Sequence, residues 1–180
     1  MGVNVESGLS AAILVASDRA SQGKYADRTG PALGAFLMER GWRVVSVQVA
    51  PDDREAIAGA LKAWCDARVA GLVLTAGGTG LGPRDVTPEA TRDIIEKDLP
   101  GLPELMRSRG SAMTPRAALS RAVAGSRGAC LIVNLPGSPR GAVESLECVL
   151  DLLPHAMEML QGGGHEAAHP RQKEGAHDHP

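Results

Sequence analysis

The segment at residues 72–88, LVLTAGGTGLGPRDVTP, contains the features that decide the fold prediction. It begins with a short apolar run, which is typical of a buried strand. Four glycines follow within the six residues 77–82. Thr87 and Pro88 then favour the start of a helix, with Thr87 as its N-cap and Pro88 in the first helical position. The segment therefore predicts a strand, a glycine-rich loop and a helix in direct succession.

Three other apolar segments predict further strands, at residues 11–16, 43–49 and 130–135. Near-continuous apolar runs of this kind are typical of parallel strands with both faces covered. Helical patterns occur at residues 30–40, 54–69, 87 onward and 141–160. Pro154 is expected to bend or break the last of them. The alternation predicts an α/β fold of three layers, in which helices cover both faces of a mainly parallel sheet.

The composition of the 180 residues, 43% hydrophobic and 22% charged, is typical of a soluble single-domain protein. A net charge of -2 and only 2% aromatic residues argue against a nucleic-acid binder. No apolar run approaches the roughly 20 residues that cross a bilayer, so no membrane is expected as a partner. Cys65, Cys130 and Cys148 form no C-x-x-C pair, which favours a reducing, cytoplasmic compartment.

The two ends of the chain differ in composition from its middle. Residues 1–10 are interpreted as an N-terminal extension that lacks the basic region of a signal peptide. Residues 11–161 are predicted to form the folded domain. Residues 162–180 contain no large apolar side chain and four of the five histidines. This composition predicts a disordered tail, with metal capture by its histidines as an open alternative.

The glycine-rich loop is suited to a phosphate, because glycines let backbone N–H groups approach an anion closely. It matches neither of the common phosphate loops. Pro83 and Arg84 stand where a P-loop needs Lys and Ser or Thr, and Asp85 stands where the dinucleotide fingerprint needs Gly or Ala. The loop is therefore expected to bind phosphate with another geometry. A flexible strand-to-helix connection is the alternative.

Two aspartates follow predicted strands and are expected at the same edge of the sheet as this loop. Asp85 lies within the loop, and Asp52 follows the second predicted strand. One or two carboxylates together with substrate phosphates are the usual ligands of Mg²⁺, so the pair predicts a magnesium–nucleotide site. For Asp52 a helix N-cap is an equally good interpretation, although Asp53 could fill that position instead.

The loops after the first and fourth strands offer a second set of polar groups. The first contains Ser17, Asp18 and Arg19, whose hydroxyl and guanidinium groups suit a second anionic ligand. The fourth reads NLPGSPRG at residues 134–141, and its Gly137 and Ser138 with the following helix N-terminus could bind a phosphate or carboxylate. A solvated loop and a plain turn are the respective alternatives.

Together these segments resemble the MogA/MoaB family of molybdenum-cofactor biosynthesis. The matching pieces are SDR at residues 17–19, PD at 51–52, TAGGTG at 75–80, RDVTP at 84–88 and NLPGSP at 134–139. The resemblance extends over nearly the whole predicted domain. It implies the molybdopterin-binding fold and an adenylyl transfer from Mg-ATP, in which the terminal phosphate of molybdopterin attacks the α-phosphate and pyrophosphate leaves.

The resemblance also implies roles for individual residues. Asp52 and Asp85 look like the two essential acidic residues of the family, which would act in catalysis and hold Mg²⁺. The nucleotide phosphates would be bound by Gly77, Gly78, Thr79, Gly80 and Arg84. Molybdopterin would be bound by Ser17, Asp18, Arg19, Asn134, Pro136, Gly137 and Ser138. A homotrimer is implied, with the downstream molybdenum insertion protein as a further partner.

Two other functions of the same fold remain open at this point. One is a non-catalytic molybdopterin-binding or scaffold protein, against which the presence of both Asp52 and Asp85 argues. The other is a nucleotide hydrolase or pyrophosphatase, a function found in relatives that are fused to other domains. The single-domain length of this chain argues against it.

Overall fold

The computed structural model describes residues 8–163, which form six strands and seven α-helices. The strands are β1 (Ser10–Ala16), β2 (Arg43–Ala50), β3 (Leu72–Ala76), β4 (Lys97–Asp98), β5 (Ala124–Arg127) and β6 (Cys130–Leu135). The helices are α1 (Asp18–Ser21), α2 (Thr29–Met38), α3 (Arg54–Asp66), α4 (Thr87–Arg92), α5 (Gly101–Met113), α6 (Pro139–Glu147) and α7 (Leu153–Leu160). Most of the extension and tail proposed for the two ends, residues 1–7 and 164–180, lies outside the described range.

The sheet has the strand order β2-β1-β3-β6-β5-β4, and its first four strands are parallel. β5 runs antiparallel to both of its neighbours. Ala16 at the end of β1 lies opposite Ala50 at the end of β2. Ala76 at the end of β3 lies opposite Val15 on one side and Leu135 on the other. The four parallel strands therefore end in nearly the same register, and the loops that follow them lie side by side.

Helices cover both faces of the sheet, so the predicted three-layer α/β architecture is confirmed. Successive residues of a strand point to opposite faces, and the buried side chains accordingly form two cores. Leu74 packs in the core under α2, α5, α6 and α7, and Val73 packs in the core under α3 and α4. Both side chains are fully buried. No helix within residues 8–163 is both long and apolar enough to span a bilayer.

The sequence does not predict the antiparallel half of the sheet or helix α5. β5 reads AGSR and β4 reads KD, and neither has an apolar run. β5 forms because a tight turn at Gly128, with a φ of +55°, folds it back onto β6. α5 buries only Leu102, Pro103 and Met106 among its 13 residues, so its apolar spacing is weak.

The start of α4 differs from the prediction. Val86 is the N-cap residue, Thr87 is the first helical residue, and Pro88 is therefore in the second position. Thr87 makes no side-chain capping bond. Its backbone N–H instead donates to the carbonyl of Gly78 at 3.1 Å, so that the glycine loop itself satisfies a donor at the start of this helix.

The last predicted helix is interrupted, as expected from Pro154. α6 begins two residues before the predicted start and ends at Glu147, and a short 3₁₀ helix (Leu150–Leu152) leads into α7. Pro154 lies in the first turn of α7, where a missing N–H leaves no helical bond unmade. The two other predicted helices, α2 and α3, shift by one to three residues at their ends.

The C-terminus of α3 contains a strained residue. Arg68 has a φ of 51°, in the left-handed region that favours glycine. Its N–H donates to the carbonyl of Cys65 at 3.1 Å, and the N–H of Val69 donates to the carbonyl of Trp64 at 3.0 Å. These two bonds form a Schellman motif in which arginine stands at the position that usually holds glycine.

We expect Arg68→Gly to raise the free energy of unfolding by about 0.5–1 kcal/mol, because relief of the left-handed strain outweighs the added backbone entropy of the unfolded chain. Urea denaturation measures the change. Arg68→Ala is the matched control, since alanine removes the same side chain but keeps the strain. An equal gain for the alanine variant would show that the side chain, not the backbone, limits stability at this position.

Candidate active site

The loops that follow β1, β2, β3 and β6 meet at the carboxyl edge of the sheet. The N–H of Ser17 donates to the carbonyl of Ala50 at 2.9 Å and joins the first two loops. The N–H of Gly77 donates to the carbonyl of Leu135 at 3.1 Å and joins the other two. The structure therefore brings together all four of the loops in which the sequence indicated functional residues.

Asp18 and Asp52 hold the first two loops in a fixed arrangement. The N–H of Asp18 donates to Oδ2 of Asp52 at 2.8 Å, and the N–H of Asp52 donates to Oδ1 of Asp18 at 3.0 Å. Arg84, from the loop after β3, donates to both carboxylate oxygens of Asp18 through Nε and Nη2, each at 3.0 Å. This two-bond ion pair connects the third loop to the first two.

Asp52 is not the N-cap of α3, because Asp53 fills that position. Oδ1 of Asp53 accepts a hydrogen bond from the N–H of Ala56 at 2.9 Å. Asp52 is thereby left at the sheet edge, with Oδ2 bonded to the Asp18 amide. Its Oδ1 accepts no hydrogen bond from residues 8–163. The N-cap interpretation of Asp52 is therefore wrong, and the ligand role stays a prediction.

Asp85 folds back onto the glycine loop. Its Oδ2 accepts a hydrogen bond from the N–H of Gly82 at 2.7 Å. A Cβ on either Gly80 or Gly82 would lie 2.8 Å from this oxygen, so the carboxylate can approach only because both residues are glycine. Within the described residues Oδ1 of Asp85 has no hydrogen-bond donor. Each aspartate thus presents one carboxylate oxygen that accepts no hydrogen bond from the part of the chain that the structure describes.

The electrostatics of Asp52 connect it to Asp85. Burial raises the pKa of Asp52, and the negative charges of Asp18 and Asp85 raise it further. The hydrogen bond from the Asp18 amide and the charge of Arg84 act in the opposite direction without cancelling the rise. The charge of Asp85 is the smallest of these contributions, as expected for a carboxylate at the same edge of the sheet.

The glycine loop is tightly packed against its neighbours. Gly77 has a φ of +101° and Gly78 a φ of +63°. A Cβ on Gly77 would collide with the carbonyl oxygen of Ala16, and a Cβ on Gly78 would collide with the hydroxyl of Thr87. A Cβ on Gly137, in the fourth loop, would lie 3.2 Å from Cα of Gly77. These close approaches argue against a merely flexible connection.

Two threonines next to this loop are buried. Thr79 is 7% exposed, so its side chain faces the protein rather than solvent. Thr87 is fully buried, and its Oγ1 has no hydrogen-bond partner among residues 8–163. An unpaired buried hydroxyl is uncommon and marks a place where a further polar group is needed.

Residues of the first and fourth loops lie at the same edge, but some of their polar groups cap helices while others are exposed to solvent. Ser17 Oγ accepts from the N–H of Ala20 at 3.2 Å and caps α1, whereas Arg19 is exposed. Gly137 and Ser138 are also exposed, and Ser138 Oγ accepts from the N–H of Gly141 at 3.2 Å as the cap of α6. Half-buried Pro136 precedes them and shapes the turn.

Asn134 does not contribute to this surface, which corrects its predicted role as a molybdopterin ligand. It is fully buried. Its Nδ2 donates to Oγ1 of Thr75 at 2.8 Å and of Thr91 at 2.9 Å, and its Oδ1 accepts from the N–H of Val123 at 3.1 Å. With these polar groups satisfied inside the core, Asn134 joins β3, α4 and the segment before β5.

Arg121 belongs to the site and was missed by reasoning from the sequence. It lies just before β5, and its guanidinium bonds to the carbonyls of Gly80 and Asp85 and to the carboxylate of Glu89. No local motif surrounds it in the sequence. Its role depends on contacts with residues 32 to 41 positions away, which neither spacing nor periodicity can indicate.

The metal-binding capacity of this edge is limited to few carboxylates. Within residues 8–163 there is no group of three or more His, Cys, Asp or Glu side chains arranged to hold a metal ion. Two carboxylates completed by substrate phosphates and water are the arrangement typical of Mg²⁺.

Two cavities, of about 430 and 720 Å³, lie away from this edge, at the amino edge of the sheet beside Leu9.

We expect Asp52→Asn to raise the melting temperature at neutral pH in the absence of Mg²⁺. The pKa of Asp52 is higher in the folded than in the unfolded protein, so its ionised form destabilises the fold above that pKa. The advantage of the variant should shrink as the pH falls and vanish only well below 3.8, the ordinary pKa of an aspartate, where the wild-type carboxyl is protonated in both states. Asp52→Ala, which also removes the acceptor for the Asp18 amide, is the control. A wild type that is the more stable protein at neutral pH would contradict the expectation.

Comparison with known proteins identifies the family. Residues 12–155 match the family described as a probable molybdopterin binding domain. The chain is 41% identical over 152 residues to the molybdopterin adenylyltransferase of Helicobacter pylori strain J99, covering 83% of this chain and 86% of that protein. It is 40% identical over 160 residues to the molybdopterin adenylyltransferase of Haemophilus influenzae, covering 81% of each.

Solved structures agree with this similarity. The molybdopterin biosynthesis enzyme MoaB of Thermus thermophilus superposes with a TM-score of 0.81 at 48% identity, covering 86% of this chain and 97% of that one. The tungsten cofactor synthesizing protein MoaB of Pyrococcus furiosus superposes with a TM-score of 0.77 at 26% identity, covering 87% of this chain and 99% of that one. The match extends over the fold and over the four loops at the carboxyl edge, and the chain belongs to the MogA/MoaB family of molybdenum-cofactor biosynthesis proteins.

Proposed function

We propose that this protein transfers the adenylyl group of ATP to molybdopterin. An oxygen of the terminal phosphate of molybdopterin forms a bond to the α-phosphorus of ATP. The bond from that phosphorus to the oxygen bridging to the β-phosphate breaks, and pyrophosphate leaves with the electron pair. The observation that carries the proposal is the meeting of Asp52, Asp85 and the glycine loop at one edge of the sheet. The activity named for the bacterial relatives supports it.

Asp52 and Asp85 are the residues that would hold Mg²⁺. The donor set fits this ion, because each side chain offers an unused carboxylate oxygen and because the mutual repulsion of the two charges favours a cation. When bound, the ion supplies charge neutralisation for the phosphates. Asp18, whose carboxylate is occupied by Arg84 and by the Asp52 amide, positions Asp52 rather than binding metal.

The glycine loop and Arg84 would bind the nucleotide phosphates. The loop carries its N–H groups on a backbone that is fixed by packing, and the Arg84 side chain is held by Asp18 while remaining 62% exposed. A guanidinium held in this way can bind a phosphate without first losing side-chain conformational freedom. Adenylyl transfer depends mainly on such positioning and on charge stabilisation.

The molybdopterin phosphate would bind next to the nucleotide, at the first and fourth loops. Arg19 and the exposed Gly137 and Ser138 line this side of the edge. Gly137 is held by a hydrogen bond from Oγ1 of Thr29 to its carbonyl at 2.8 Å, and its backbone packs on Gly77. The two phosphate-bearing substrates would therefore meet across the Gly77–Gly137 contact.

Assembly and location are part of the same proposal. The proposed homotrimer follows from the family resemblance, and the exposed Val47 and Val49 on edge strand β2 offer apolar surface for an association between copies. A protein that inserts molybdenum would receive the adenylylated product. The free thiols of Cys65, Cys130 and Cys148 are consistent with a reducing, cytoplasmic compartment.

Replacing Asp85 by Asn should reduce the rate of adenylyl transfer by at least about 100-fold, because it removes a carboxylate that would hold the ion that neutralises the reacting phosphates. Molybdopterin binding should change by less than about two-fold, since Asp85 lies on the nucleotide side. Pyrophosphate release and mass-spectrometric detection of adenylyl-molybdopterin are measured on one preparation, together with binding.

Asp53→Asn is the matched control for this experiment. It removes a neighbouring charge, but asparagine caps α3 as well as aspartate does, so turnover should be unchanged. Normal turnover by Asp85→Asn would contradict the catalytic assignment. ATP breakdown by the wild type in the absence of molybdopterin would instead favour a hydrolase.

A further inference from the structure

We propose that Arg121 is a positioning residue that fixes the glycine loop and Asp85 in their binding geometry before any substrate arrives. The inference rests on the proposed function, because it gives Arg121 a role through the residues that would bind Mg-ATP. Arg121 lies outside every loop in which the sequence indicated functional residues.

Four hydrogen bonds connect Arg121 to the loop and to α4. Its backbone N–H donates to the carbonyl of Thr79 at 3.0 Å. Its Nε donates to the carbonyl of Gly80 at 2.6 Å, its Nη2 donates to the carbonyl of Asp85 at 2.5 Å, and its Nη1 donates to the carboxylate of Glu89. The Arg121 side chain therefore holds Gly80 and Asp85, the two ends of segment 80–85.

These bonds also determine where the loop N–H groups point. The carbonyl and the N–H of a trans peptide unit point in opposite directions. Because the carbonyls of Thr79 and Gly80 face Arg121, the N–H groups of Gly80 and Leu81 face away from it. Neither N–H has an acceptor within residues 8–163. A pair of successive free N–H groups suits a phosphate oxygen, so Arg121 would orient the anion-binding side of the loop.

Arg121 is itself anchored in the core. The segment that follows it is bonded to Asn134 in both directions, since the N–H of Val123 donates to Oδ1 of Asn134 at 3.1 Å and the N–H of Asn134 donates to the carbonyl of Val123 at 2.9 Å. Arg107 adds a bond to the carbonyl of Ser120 at 3.3 Å. The buried Asn134 network is thus connected through Arg121 to the reacting edge.

The ion pair with Glu89 gives Arg121 a fixed orientation. Burial raises the pKa of Glu89, but the hydrogen bond from Arg121 and the charges of Arg121 and Arg92 outweigh it, and the pKa lies below its ordinary value. Glu89 therefore stays ionised and paired at neutral pH. Lysine could keep this ion pair, but it lacks the planar fork that reaches two carbonyls at the same time.

The test compares Arg121→Gln and Arg121→Lys with Arg127→Gln. Arg127 is a matched control on β5, because it also pairs with a carboxylate, that of Asp66 at 2.7 Å, and donates to a carbonyl, that of Ile94 at 3.1 Å. Its side chain is 21% exposed against 32% for Arg121, and it contacts neither the glycine loop nor Asp85. Both glutamine variants should lose a similar amount of thermal stability.

In the substrate-free protein, Arg121→Gln should speed amide hydrogen exchange across residues 77–86 by about 10-fold or more, whereas Arg127→Gln should leave it unchanged. The kcat of Arg121→Gln should fall by about 10- to 100-fold, with a higher Mg²⁺ concentration needed for half-maximal rate. Arg121→Lys should recover the melting temperature but neither the exchange protection nor kcat.

The proposal is overturned if the amides of residues 77–86 exchange at the wild-type rate in Arg121→Gln. It is also overturned if the kcat of Arg121→Gln is no lower than that of Arg127→Gln. Full recovery of kcat by Arg121→Lys would also overturn it, because charge alone would then suffice. If Arg121→Gln does not fold, the lysine variant decides by the same exchange measurement. Exchange does not depend on catalysis, so an active Asp85→Asn would end the proposed function while leaving the anchoring role of Arg121 to be judged separately.

Discussion

The parallel alignment of β2, β1, β3 and β6 is the constraint on which the site depends. Because these strands run in the same direction and end in nearly the same register, the loops after them must share one edge. Residues as distant in the chain as Asp18 and Arg84 become hydrogen-bonded partners through this alignment alone. The helices between the strands bury the two cores.

The electrostatic environment of the site disfavours the ionised form of Asp52. Burial and the charges of Asp18 and Asp85 disfavour an ionised Asp52, while the Asp18 amide and Arg84 oppose that effect only in part. A carboxylate that is ionised under these conditions lowers the stability of the protein, because its pKa is higher in the folded than in the unfolded state. Asp52 is held in this environment by its two hydrogen bonds with Asp18, which is itself bound by Arg84.

The sequence indicates the parts of this molecule that are encoded locally. Apolar runs predict the four parallel strands, and the clustered glycines predict the special loop between β3 and α4. Asn134 was assigned to the ligand site by the resemblance of its segment, whereas the sheet places its side chain between Thr75 and Thr91. Arg121 and the short β5 could not be predicted, since their positions follow from tertiary contacts and a single turn rather than from any periodic pattern.

The contact between Gly77 and Gly137 has an evolutionary consequence. At most tight contacts in a protein, a larger residue on one side can be tolerated if its neighbour mutates to a smaller one. Here both neighbours already have the smallest possible side chain, and the backbone of Ala16 closes the remaining space around Gly77. A side chain at Gly77 would meet backbone that no second mutation can make smaller, so we expect drift and laboratory selection alike to leave this glycine unchanged.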